Sequence, residues 1–167
     1  MKRDNQAQGA KAKRAGDQWE WIFEVQAKRA GIWVTAIADG ARRVGRNQLI
    51  PCKQGFDYAL SFQGVSAFVD TKTTTGSTFP CSKIDHDQLR ELAGHAAQGQ
   101  VAGYVIWTRA SGALYFIPAG VLIVKAMLKR GSIGPEEPGV ISLGTVQRPA
   151  IENLFKPVKL EVLIETH

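Results

Sequence analysis

Asp57, Asp70 and Lys72 are the residues whose types and spacing point most directly to chemistry. The stretch from Phe56 to Lys72, FDYALSFQGVSAFVDTK, reads as two short strands around Gln63-Gly64. Phe56, Tyr58, Leu60 and Phe62 alternate on one side of the turn, and Val65, Ala67 and Val69 continue after it. With a two-residue turn of the kind that glycine favours, Phe62 faces Val65 and, counting outward, Asp57 faces Asp70. Directly opposed strand residues have Cβ atoms about 4.5–5.5 Å apart. Two carboxylates that close repel each other unless a cation, a shared proton or water relieves them. Strand side chains alternate, so Lys72 shares the face of Asp70. Mg²⁺ takes oxygen ligands, usually one or two carboxylates with waters and a phosphate oxygen, so the two aspartates form a half-shell for it. Such an ion stabilises charge on a phosphate and brings the pKa of a bound water towards neutrality, while Lys72 would orient that water or neutralise charge at phosphorus. The plain alternative is a solvent-facing Asp57 and an ordinary exposed Asp70–Lys72 pair.

Several elements must position these groups. A helix is expected from Gly16 or Asp17 to about Arg29, because Trp19, Ile22, Phe23, Gln26 and Ala30 fall on one stripe and Gly31 follows. Glu20 lies at the edge of that stripe and is the acid best placed to reach the sheet, although the helix dipole alone favours an acid in a first turn. Glu24 reads as half of an i,i+4 pair with Lys28. Ile32 to Ile37 reads as a strand, and Asp39 to Lys53 as a basic, glycine-containing loop. After Lys72, TTTGSTFP leads to a helix from about His86 to Ala97, with Asp85 and Gln88 at the spacing of a capping box. Val101–Thr108 and Ala113–Ile117 read as a second hairpin around Ala110-Ser111-Gly112, and Ala119–Arg130 as an apolar helix that is either buried or dimer-forming. The Gly- and Pro-rich tail from Gly131 reads as irregular, with KLEVLIE as a final edge strand. This order of elements implies an α/β domain with a central mixed β-sheet flanked by helices.

The chain has 167 residues, 44% of them hydrophobic, enough for one core and hardly two. Its net charge of +6 is clustered. Lys2, Arg3, Lys11, Lys13 and Arg14 lie in residues 1–15, which lack apolar periodicity and read as a mobile basic arm ahead of a single domain, 16–167. Arg42, Arg43, Arg46 and Lys53 lie in the loop before the hairpin. Both clusters suit a polyanion, nucleic acid first, and solubility is the plainer account of the charge. Two cysteines, Cys52 and Cys81, have no zinc-ligand spacing and fit reduced thiols in a cytoplasmic protein, with a disulfide left open. No apolar stretch has the length of a membrane span, and the start lacks the apolar run of a signal peptide, so no membrane partner is expected.

Asp57, a gap of twelve residues and Asp70-Thr71-Lys72 resemble the PD-(D/E)xK nuclease signature. Continuing through Ser77-Thr78-Phe79-Pro80 and Asp85-His86-Asp87-Gln88, the series resembles the RecU-type Holliday junction resolvases over about residues 16 to 122, with archaeal-type resolvases sharing the same core pattern. Two segments depart from the family: it usually has Glu-Ala-Lys where this chain has Asp70-Thr71-Lys72, and His-Glu-His where this chain has Asp85-His86-Asp87. The resemblance implies a restriction-endonuclease-like core and a Mg²⁺-dependent endonuclease, with Mn²⁺ as a substitute, acting as a homodimer on four-way DNA junctions. Asp57 and Asp70 would hold the metal, Glu20 would assist directly or through water, Lys72 would act on water or charge, and Gln88 would hold a water or phosphate nearby. The family's hairpin between the acids lies near the junction centre, which singles out Phe62, Gln63 and Gly64. The basic arm and loop would contact the DNA backbone. Such a protein would work in the cytoplasm, at the nucleoid, or in a host's cytoplasm if virus-encoded. Another nuclease on the same core, of repair or restriction type, and a catalytically silent DNA-binding accessory module remain as alternative functions.

Overall fold

A computed structural model describes residues 2–37, 40–44, 48–52, 55–128 and 131–156, with side chains at Arg14 and over 16–37, 55–128 and 131–156. Helix α1 (Lys2–Arg29) leads into β1 (Trp33–Ala36), then β2 (Gly40–Val44), β3 (Gln48–Cys52), β4 (Tyr58–Phe62) and β5 (Val65–Thr74). Next come β6 (Phe79–Pro80), α2 (His86–Ala97), β7 (Val101–Thr108), β8 (Ala113–Pro118) and α3 (Ala119–Leu128). The described part ends with β9 (Ser132–Ile133), β10 (Ile141–Thr145) and a 3-10 turn, Ile151–Phe155.

The main sheet has six strands in the order β1-β4-β5-β7-β8-β10. Only β5 and β7 run parallel, and α2 supplies the crossover that a parallel pair requires. The remaining pairs are antiparallel, so the sheet is mixed and helices flank it, as the sequence predicts. On one face α1 buries Trp19, Phe23 and Ala27 against Leu60, Val69 and Val105. On the other, Leu89 and Leu92 of α2 and Leu122 of α3 bury Tyr104, Ile106 and Ile117. Alternation along β7 sends 104 and 106 to one layer and 105 to the other, which is why VAGYVIWT is apolar throughout.

The β4–β5 hairpin has the expected two-residue turn. Gln63 (φ 50°) and Gly64 (φ 82°) are both left-handed, the geometry of a type I′ turn, and Phe62 pairs with Val65. The second hairpin and α2 also lie where the sequence places them.

Three expectations are corrected. Helix α1 starts at Lys2 instead of Gly16 or Asp17, because residues 6–15 are Ala, Gln, Lys and Arg with a single glycine, a composition of high helix propensity. The side chains of Lys2, Arg3, Lys11 and Lys13 lie outside the described residues, while Arg14 is exposed. The expected loop from Asp39 to Lys53 contains a two-stranded antiparallel ribbon, β2–β3, with Gly40 opposite Cys52 and Val44 opposite Gln48. Pro51 lies in β3 opposite Ala41, and a two-stranded ribbon tolerates its missing N–H. The side chains of Arg42 and Arg43, and Arg46 and Lys53 altogether, lie outside the described residues, as does the expected strand KLEVLIE. The tail after Gly131, read as irregular, supplies β10, the sixth strand; a register shift between Ser142 and Thr145 breaks the alternation that would have revealed it.

Gly103 sits opposite Pro118 in the β7–β8 pair, with no room for a side chain. A Cβ there would lie 2.1 Å from the Ile117 carbonyl oxygen and 2.9 Å from the Phe116 ring. Gly103→Ala should therefore lower unfolding stability by about 3 kcal/mol or more in denaturant titration, the upper end for overpacking, because the obstacle is backbone. A loss below about 1 kcal/mol would show that the strands can separate at no great cost.

Candidate functional site

Strand β5 outruns β4. Their ladder ends at Tyr58 opposite Val69, whereas β5 continues to Thr74 alongside β7. Asp57 lies at the mouth of this notch. Its N–H donates to the Val69 carbonyl (3.0 Å), and its own carbonyl accepts from the Ile37 N–H (2.8 Å). The chain entering it is anchored on α2: the Gly55 N–H donates to Glu91 Oε2 (2.7 Å), and the Phe56 ring packs edge-on against Phe68 and His95.

Past Val69 the β4-side N–H of β5 has no strand to pair with, and the Asp57 carboxylate takes that place. Asp57 Oδ2 accepts from the Thr71 N–H (2.7 Å) and from Thr71 Oγ1 (2.8 Å). The expected one-to-one opposition of Asp57 and Asp70 is thus replaced by an approach along the strand edge. The two acids remain neighbours, since Thr71, which holds the Asp57 carboxylate through its N–H and hydroxyl, directly follows Asp70, and the Asp57 charge raises the Asp70 carboxyl.

Asp70 is buried, with 1% of its surface exposed. Its Oδ1 accepts from Gln88 Nε2 (2.8 Å), Gln88 Oε1 accepts from Lys72 Nζ (3.0 Å), and Lys72 Nζ forms an ion pair with Asp70 Oδ2 (2.5 Å). These contacts close a ring of three side chains drawn from β5 and α2. Lys72 Nζ also lies 5.4 Å from the centroid of the Tyr104 ring. Burial pushes the Asp70 carboxyl up to about 7 even though the Lys72 ammonium opposes the shift, and the neighbouring Asp57 charge adds to it. Apart from that ion pair with Lys72, Asp70 Oδ2 has no hydrogen-bond partner among the described residues.

Asp85 caps α2, accepting from the Asp87 and Gln88 N–H groups, but only half of the expected capping box forms. Gln88 does not reach back to the Asp85 N–H, which donates to the Tyr104 hydroxyl instead (3.3 Å). The Gln88 amide is thereby available to Asp70 and Lys72. Tyr104 thus touches both the lysine and the cap that aims the glutamine. Its hydroxyl is raised above the usual phenol range by burial and then by the Asp70 charge.

Glu20 reaches the neighbourhood from α1. Its carboxyl is raised by desolvation first, then by Asp57 and Asp17, with Lys72 acting the other way, so it lies within the field of the site. Its backbone carbonyl accepts from the Tyr58 hydroxyl (3.2 Å). Glu24 pairs with Lys28 at 2.5 Å, as expected. Among the described residues no group of three or more His, Cys, Asp or Glu is placed to hold a metal ion, so the gathered acids are Asp57 and Asp70. At the far end of the hairpin, the Phe62 ring packs on Phe155 (5.4 Å), leaving Gln63 and Gly64 exposed at the tip.

The sequence reading missed Thr71 and Tyr104. Thr71 falls on the opposite face from Asp70 and Lys72, and only the unequal strand lengths give it a role. Tyr104 is the one hydroxyl-bearing residue within the apolar run of β7 before Thr108, a signal that was available.

Two carboxylates fit a hard cation of the Mg²⁺ type, which commonly takes one or two protein carboxylates and keeps its waters. The observation that supports this fit is Asp70 itself: its carboxyl stays raised by burial and by the Asp57 charge even with the Lys72 ammonium against Oδ2, so further positive charge would relieve it.

No family model matches the chain, and no curated protein matches it. Among solved structures it is similar to Hjc of Archaeoglobus fulgidus, a Holliday junction resolvase from an archaeal hyperthermophile, with 16% identity over 83% of this chain and 99% of that one, at a TM-score of 0.48. A likeness of that size carries no argument here. Among the described residues no helix is long and apolar enough to cross a membrane.

The raised Asp70 pKa makes stability depend on pH in a defined direction. Between the ordinary carboxylate range and about pH 7 the native state holds a proton that the unfolded chain has lost, so folding stability falls as pH rises through that window. In chelator-treated protein, Asp70→Asn should therefore gain stability relative to the unaltered chain between pH 4 and pH 8, by roughly 1–3 kcal/mol. Thermal melts across that range measure it, and a difference that does not change with pH would contradict the burial argument.

Proposed function

We propose that this chain is a Mg²⁺-dependent, structure-selective endodeoxyribonuclease that resolves four-way DNA junctions. The observation that carries the reading is the meeting of Asp57 and Asp70 beside the Lys72 ammonium, at the open end of β5. The motif series of the RecU-type resolvases and the clustered positive charge support the same reading.

Asp57 and Asp70 would hold the cation, Mg²⁺ or in its place Mn²⁺, with Glu20 assisting through water from the α1 side. The bound ion would supply charge stabilisation at phosphorus and a water of lowered pKa. Lys72, steered by Gln88 and by the Tyr104 ring, would meet the charge that develops on the phosphate. Gln88 would hold the Asp70 carboxylate and the Lys72 ammonium in register. Phosphate contacts from Arg14, Lys2, Arg3, Lys11, Lys13, Arg42, Arg43, Arg46 and Lys53 would give affinity that depends steeply on salt and little on base sequence.

A four-way junction offers two equivalent strands, so a two-fold homodimer suits it. The exposed apolar row of Ile123, Val124, Met127 and Leu128 on α3 is a surface of the kind that a second copy covers.

One observation favours a second reading. With two acids gathered among the described residues, the chain could be a DNA-binding accessory module without activity. Cleavage of a four-way junction and of linear duplex of the same sequence, with Mg²⁺ and with chelator, separates the possibilities. We expect Mg²⁺-dependent cutting that favours the junction, reduced about 10²–10³-fold by Asp57→Asn and by Lys72→Ala. Equal rates on both substrates would point to another nuclease of this fold. Binding without cutting in any divalent cation would point to the accessory module.

A further inference from the structure

Thr71 has no part in the proposed chemistry, yet it donates two hydrogen bonds to the Asp57 carboxylate. It is 7% exposed, and both of its donors, N–H and Oγ1–H, are spent on one oxygen, Asp57 Oδ2. Asp57 Oδ1 accepts no hydrogen bond from a described residue. Asp70 is divided differently: Oδ1 accepts from the Gln88 amide, while Oδ2 faces the Lys72 ammonium at 2.5 Å. Asp57 thus has one oxygen committed to Thr71 and one left over, while Asp70 is engaged through both of its oxygens.

We infer that Thr71 is a positioning residue that holds Asp57 to a single available oxygen and thereby sets a preference for a small octahedral cation over a larger one. The inference rests on the reading that Asp57 and Asp70 bind a divalent ion. Mg²⁺ demands near-octahedral geometry, which single oxygens from separate carboxylates satisfy. Ca²⁺ takes six to eight oxygens and gains from carboxylates that bind through both. For Asp57 to bind through both oxygens it would have to give up two hydrogen bonds, one of them from a backbone N–H that no strand can then satisfy. Alternation along β5 puts the Thr71 side chain on the face away from Asp70 and Lys72, so it acts through Asp57.

The test is calorimetric titration of the full chain, free of DNA, with Mg²⁺ alone and with Ca²⁺ alone. Asp70→Asn serves as the control that binding occurs at this site. Thr71→Val removes the hydroxyl donor and keeps the side-chain volume, and Thr71→Ala is the second variant if the first does not fold. Either should shift the ratio of Ca²⁺ to Mg²⁺ affinity towards Ca²⁺ by about 3- to 10-fold, the worth of one hydrogen bond, with Thr71→Ser keeping the original ratio. An unchanged ratio, or equal weakening of both ions, would overturn this inference and leave the metal site standing. If the unaltered chain binds neither ion, the inference and the metal reading fall together.

Discussion

The inequality in length between β4 and β5 is the constraint from which the candidate site follows. A sheet strand that continues past its neighbour exposes an N–H every second residue, and a buried N–H without a partner costs about as much as a lost hydrogen bond. Here the Asp57 carboxylate supplies the missing acceptor at Thr71, which draws an acid into the notch beside Asp70. An arrangement that satisfies a backbone donor therefore also places two negative charges together. The Lys72 ammonium and the Gln88 amide bring the counter-charge and hydrogen bonds that make it tolerable.

The tolerance is incomplete. Asp70 is buried with one oxygen met only by the Lys72 ammonium, and burial still pushes its carboxyl up to about 7. A core optimised for stability alone would not retain such a group, since neutral or apolar replacements of a buried charge are often neutral or stabilising. Groups with pKa values shifted by burial and by a specific charged neighbour concentrate where proteins bind ions or do chemistry. The surroundings are correspondingly stiff: α2 is capped by Asp85, tied to Tyr104 and packed through Leu89 and Leu92, so Gln88 reaches the site from a fixed platform.

Much of this was legible in the residues. The alternation from Tyr58 to Phe62 and from Val65 to Val69 specified a hairpin, and Gln63-Gly64 specified its turn and register. Asp85, with Leu89 and Leu92 at helical spacing, specified α2, and Trp19 and Phe23 specified the buried face of α1. Where the period was broken, legibility stopped. The strand Ile141–Thr145 carries a bulge, and β2–β3 forms a ribbon outside the main sheet, so neither had to show an apolar face in regular alternation.

Local chemistry thus determined the elements and the candidate acids, because turn preference, capping and hydrophobic period act between residues close in the chain. How those acids were to be used was a different matter. Whether Gln88 served its own helix cap or Asp70, whether Thr71 faced solvent or Asp57, and how far β4 accompanied β5 were decided by packing between segments far apart in the chain. Only the assembled sheet brought α2 over β5 and left the strand edge open, and no spacing within one segment encodes which oxygen of a carboxylate a distant donor will occupy.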